Sequence, residues 1–123
     1  APMVDIPAFL ILDTDDGLRR LGNNKELYQM ILREYMIEFQ DLEEEMSQAV
    51  DKRNYQEAVQ IVHKNKGGSG NIGAKKLSAT AAELQKALAE GDEEKIGTLK
   101  RVFLDQTAIL MNEIKEYTEQ PRE

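Results

Sequence analysis

"HKNKGGSGNIGAKK", residues 63–76, holds the single histidine of the chain and four of its eight glycines. Three readings of it compete: a flexible Gly/Ser linker, a nucleotide-binding turn, or the working surface of a helix. Glycine lacks the Cβ that restricts the backbone, so "GGSG" has the composition of a linker. The patterns on either side, however, look like neighbours in one bundle rather than two separate domains. Gly68, Gly70 and Gly73 also spell G-x-G-x-x-G, the dinucleotide fingerprint. That motif carries meaning only between a strand and a helix of a parallel sheet. "AVQIV" just before it could pass for a strand, but the chain offers no second one. A Walker loop fails because Ala74, not a lysine, follows Gly73.

The helical reading accounts for more. At about 100° per residue, His63, Lys66, Gly67 and Gly70 fall on one face. Ile61, Val62, Asn65, Ser69 and Ile72 take the other side, toward a core. Glycine inside a helix costs about 0.5–1 kcal/mol relative to alanine, so its presence a turn beyond the histidine asks for a reason. Without a side chain at Gly67 the imidazole stays open to an approaching group. Lys66 adds a cation that can balance charge on an arriving phosphoryl group, whose transfer depends mainly on positioning and electrostatics.

Composition narrows the classes. With 123 residues the chain is long enough for one domain with its own core. Cysteine is absent, which removes disulfides, thiolate metal sites and a Cys nucleophile, and one histidine disfavours a His-based metal site. A net charge of −7 argues against nucleic acid as the main partner. The longest apolar run, "IPAFLIL", is too short to span a membrane and lacks the flanks of a signal peptide. It is expected to pack on the domain or to join it to something upstream. Charge is unevenly spread: from Ala58 to Ala82 there is no Asp or Glu, while Lys64, Lys66, Lys75 and Lys76 all lie inside. That pattern predicts a positive, acid-free surface around His63.

Helical signals dominate the rest. After a leading segment, residues 1–13, "TDDGLRRLG" predicts a short helix over 14–21 with Thr14 as N-cap and Gly22 as a stop. Asn23 or Asn24 caps a long helix over 24–50, along which Tyr28, Ile31, Leu32, Tyr35, Phe39, Leu42, Met46 and Ala49 recur at helical spacing. Further helices are expected over 54–70, 74–90 and 93–118, the last capped by Asp92, with Pro121 in the tail beyond. Nothing alternates with period two long enough for a strand. The expected fold is all-α, an antiparallel four-helix bundle with a short extra N-terminal helix.

These residues resemble the histidine-containing phosphotransfer (HPt) domain of multistep two-component signalling, whose motif is H-x-L-K-G with a Gly-Ala pair further on. His63, Lys66, Gly67, Gly73 and Ala74 match it in order, Leu77 and the Ala-rich helix fit, and "GLRRLGNNKELY" is similar to the segment that opens many such domains. Asn65 departs from the motif, standing where the family has Leu. The resemblance implies that His63 accepts a phosphoryl group from a receiver-domain aspartate and passes it to another response regulator. Lys66 would stabilise charge in transit, Gly67 and Gly70 would serve access and helix packing, and Gln60, Lys64, Lys75 and Lys76 would meet the partner. It implies a phosphohistidine carrier that does not hydrolyse ATP and has no cofactor of its own, Mg²⁺ belonging to the receiver. It further implies a monomer in isolation and a cytoplasmic location, often at the end of a hybrid sensor histidine kinase that can be membrane-anchored. The competing reading is a non-catalytic helical adaptor whose His face only docks a receiver or kinase.

Overall fold

Six helices occur among the described residues, 9–119, of the computed structural model. They are α1 (Thr14–Arg20), α2 (Lys25–Glu38), α3 (Leu42–Asp51), α4 (Tyr55–Asn71), α5 (Lys75–Glu90) and α6 (Glu93–Thr118). Residues 1–8 and 120–123, including Pro121 and the start of the leading segment, lie outside the described residues. Side chains that begin helices do so by accepting orphan N–H groups of the first turn. Asn24 accepts from Leu27 N at 3.1 Å, Asn54 from Glu57 N at 3.2 Å and Asp92 from Lys95 N at 3.2 Å. For α1 the cap is Asp13, which accepts from Asp16 N at 3.0 Å, and Thr14 is the first helical residue instead of the expected cap. Gly91 ends α5 with φ +67°, a left-handed angle that glycine adopts without strain.

The helix expected over 24–50 is two helices. Phe39, Gln40 and Asp41 form a turn between α2 and α3, with Leu42 N donating to Phe39 O at 3.1 Å. Three turn residues take up almost one helical turn, so Leu42, Met46 and Ala49 stay in phase with Tyr28, Leu32 and Tyr35. All six are buried. The apolar period therefore runs straight through the break and conceals it. Glu43, Glu44 and Glu45 in the first turn of α3 are the trace it leaves, since acidic groups favour a helix N-terminus.

The fold is a helical bundle. The broken arm α2–α3, α4, α5 and α6 enclose one core, with α5 packed most extensively on α4 and then on α6. Short connections fold each of α4, α5 and α6 back on its predecessor. Phe103, Leu84, Leu77, Ile96, Leu110 and Ile114 fill the centre with essentially no exposure. Among the described residues no helix is long and apolar enough to cross a membrane.

The apolar leading run packs on this bundle through Ile11 and Leu12, and its backbone is held by one side chain. Glu113 of α6 is buried and accepts from Leu10 N at 2.5 Å, Ile11 N at 2.9 Å and Leu12 N at 2.8 Å. Successive N–H groups converging on a carboxylate form an anion nest, here satisfied from within. We expect Glu113→Ala, which strands these donors, to lose about 2–3 kcal/mol in urea unfolding. Glu113→Gln, which keeps one acceptor oxygen, should lose less. Equal losses for the two variants would mean that side-chain volume, not the nest, holds the segment.

Candidate functional site

Burial fixes the orientation of α4. Ala58, Val62, Asn65 and Ser69 form its buried stripe, which turns His63, Lys64 and Gly67 outward, where all three are exposed. Lys66 and Gly70 lie half-buried at the margin. The Gly/Ser tract is thus the last part of a continuous helix, and no strand precedes it among the described residues.

The three glycines inside α4 serve different purposes. A Cβ at Gly67 would meet nothing within 4 Å, so this position keeps the approach to His63 clear. A Cβ at Gly70 would stand 3.4 Å from Ser78 Oγ, so this glycine serves the close crossing of α4 and α5. At that crossing Ser78 Oγ donates to Lys66 O at 3.1 Å and Ser69 Oγ to the same carbonyl at 3.3 Å. Gly68, noted in the sequence only as part of G-x-G-x-x-G, lets α4 approach α2: a Cβ there would lie 3.2 Å from Phe39 Cε2 and 3.5 Å from Tyr35 Cδ2. Its signal was the series 61, 65, 68, 72, which keeps to the core side of the wheel.

Asn65, the departure from the family motif, is fully buried and points its amide at α2. Its Nδ2 donates to Tyr35 Oη at 2.8 Å, while Oδ1 has no partner. Burial pushes the Tyr35 phenol well above its usual range; the Asn65 hydrogen bond works against that and the Glu38 carboxylate adds to it. The hydroxyl therefore stays protonated at any neutral pH and remains Asn65's partner.

Beyond α4 the turn at residues 72–74 is tightly held. Gly73 has φ +92°, its carbonyl accepts from Asp13 N at 3.0 Å, and a Cβ on it would collide with Asp13 O. Lys75 follows, and its Nζ lies 3.2 Å from Asp16 Oδ1, whose other oxygen accepts from Arg20 Nε at 2.9 Å. The Arg20 hydrogen bond, with Lys75 helping against the effect of burial, holds the Asp16 carboxyl below its usual range. Lys75 is therefore engaged in tying α1 to α5, and Lys76 is exposed beside it. Both lie past Asn71, eight residues along α4 from His63, or about 12 Å of axis.

Gln60, His63 and Lys64 do come together, along one groove. Phe39 and Ile61 give it an apolar side, and Glu38, Glu45 and Glu57 line it as well. The expected acid-free surface around His63 is thus not what the fold makes. The stretch 58–82 has no acids in sequence, but the end of α2 and the start of α3 lie against α4 and bring theirs.

Comparison with known proteins adds three findings. A family model described as "Hpt domain" matches residues 30–120. The crystal structure of histidine-containing phosphotransfer protein B (HptB) from Pseudomonas aeruginosa PAO1 is similar in fold, with a TM-score of 0.80 and 20% identity over 92% of this chain and 98% of that one. No curated protein matches the sequence.

Gly67 and Gly68 are adjacent yet sit in opposite surroundings, which gives a direct check. Gly67→Ala should gain about 0.5–1 kcal/mol from helix propensity alone. Gly68→Leu should lose about 1–3 kcal/mol by overpacking against Phe39 and Tyr35. Thermal melts that moved the same way for both would contradict this division.

Proposed function

This chain belongs to the Hpt domain family, which carries phosphoryl groups on histidine in phosphorelay signalling, and on that premise we propose that His63 is its phosphoacceptor. Members of the family are phosphocarriers rather than catalysts, and they exchange with receiver domains of response regulators. The observation that carries the assignment is that the single histidine of the chain is exposed, beside a glycine position with nothing within 4 Å of a Cβ.

The lone pair of the unprotonated imidazole nitrogen attacks the phosphorus of a receiver's aspartyl phosphate. An N–P bond forms as the P–O bond to the aspartyl carboxyl breaks, and the carboxylate leaves with the electron pair. The proton on the other ring nitrogen can then pass to water. Transfer to a second receiver runs the same steps backwards. Little covalent work falls to the protein, so positioning and charge stabilisation dominate. Lys66 is one helical turn from His63 and supplies a cation for the phosphoryl oxygens. The residue is half-buried, which limits how far the ammonium wanders.

Gln60 and Lys64 contact the receiver beside the ring, and Lys76 is a peripheral contact. Lys75 is paired with Asp16 but its side chain remains 62% exposed, and it is a second peripheral contact. The chain needs no nucleotide or metal of its own, and Mg²⁺ sits in the receiver's acidic pocket. We further assign the domain to the cytoplasm, as a monomer by itself, and to a hybrid sensor kinase as its parent.

His63→Gln should abolish labelling by phosphorylated receivers with the helical content and melt unchanged. Lys66→Ala should slow transfer by about tenfold, the order expected when one charge-assisted contact is lost. Label on the wild-type protein should be acid-labile and base-stable. A His63→Gln protein that still accepts such label would make the domain's His face a docking surface only.

A further inference from the structure

The charges around His63 are sorted by side. Viewed down α4, Lys66 lies about 60° to one side of the imidazole, while Gln60, Lys64, Glu57 and Ile61 lie between about 60° and 160° on the other. The second side faces the groove, where Glu38 from α2 and Glu45 from α3 join Glu57. Three carboxylates therefore face one ammonium, that of Lys64. Glu57 is oriented, accepting from Asn54 Nδ2 at 3.0 Å. Among the described residues neither Glu38 nor Glu45 forms an ion pair, and Lys64, lining the same groove, pairs with none of them. Three carboxylates with a single unpaired ammonium among them leave an excess of negative charge, which an incoming cation relieves.

We propose that this groove receives a basic side chain of the docked receiver domain, and that the groove and Lys66 together fix which way round the receiver sits on His63. The inference rests on the phosphoacceptor role proposed for His63 and adds the chemistry of the partner. A receiver presents its acidic phosphoryl-bearing pocket to the ring and to Lys66. One with a lysine or arginine on the flank that meets the groove gains attraction on both sides at once. A receiver turned half around would set its acidic pocket against three carboxylates and its own cation against Lys66. Phe39 and Ile61 suit the aliphatic stem of a lysine or arginine, so the cation can be held while its head meets the carboxylates. Like-charge juxtaposition of this kind rejects wrong partners and wrong orientations more than it raises affinity.

The test compares two donors. Receiver domains that phosphorylate the wild-type protein are rerun against the double variant Glu38→Lys, Glu45→Lys. Phosphoramidate, which labels histidine without docking, sets the reference rate. The expected result is a fall of about tenfold in the ratio of receiver-driven to phosphoramidate-driven labelling, carried mainly by KM, with a weaker salt dependence of the receiver reaction. Replacing one basic residue on the receiver's contacting flank by glutamate should restore the ratio with the double variant and lower it with the wild type. A ratio within twofold of wild type for every receiver overturns the groove as a docking determinant. Failure of phosphoramidate to label the wild-type protein at His63 would instead remove the phosphoacceptor assignment beneath it.

Discussion

The hydroxyl of Tyr28 donates to the carbonyl of Ile72 at 2.7 Å in a place closed to solvent, and the arrangement of the bundle around α4 depends on that contact. Three elements meet there with no room for a further side chain. A Cβ on Gly17 of α1 would stand 2.5 Å from the same carbonyl and collide with the Tyr28 ring. Gly73, next in sequence, takes a left-handed angle and bonds the backbone of Asp13. Burial pushes the Tyr28 phenol well above its usual range, so it is a donor throughout the physiological range. The C-terminal end of α4 is thereby pinned to α1 and α2, and the helix is pinned again at Asn65 to Tyr35 and at Gly68 to Phe39. A side chain on the outer face of a helix held at three points has little freedom of azimuth. His63 inherits that.

Apolar contact alone would not specify this azimuth. A leucine at position 65 would fill the same space without directional preference. Asn65 exchanges some of that burial for one directed hydrogen bond, and its free Oδ1 is the residual cost. A buried amide with one partner satisfied and one acceptor empty destabilises relative to a fully satisfied one by about 1–3 kcal/mol. The core beneath the site is therefore not optimised for stability. What it supplies is a defined register between α2 and α4.

Much of this was legible in the chain, and the reasons for the rest are physical. The expected bounds of α4, α5 and α6 lie within a residue or so of the observed ones, because the groups that begin and end them, Asn54, Gly91 and Asp92, act locally. The outward stripe of His63 and Gly67 followed from the wheel. The break at Phe39 was invisible because a three-residue turn preserves the apolar period. The acids beside His63 were invisible for a different reason. An acid-free window of sequence says nothing about what a neighbouring helix delivers, and Glu38 and Glu45 arrive from residues that no local pattern links to position 63. The ion pair of Lys75 was invisible likewise, since its partner Asp16 lies far back in the chain. Local physics is written along the sequence, and charge environments are written across it.

The glycines that open and seat the His63 face also decide what the helix can do by itself. Gly67, Gly68 and Gly70 lie in the last five residues of α4, and each lowers helix propensity by about 1 kcal/mol relative to alanine. A segment of this length is marginal as an isolated helix even with good formers. The helical state around His63 is therefore borrowed from α2 and α5, which supply the contacts that the sequence of α4 withholds. A synthetic peptide covering 55–71 would be mostly coil in water and would lose the geometry that sets Lys66 and Gly67 about the ring. Miniaturising this site means carrying its neighbours along, or replacing the glycines and giving up the open face that they provide.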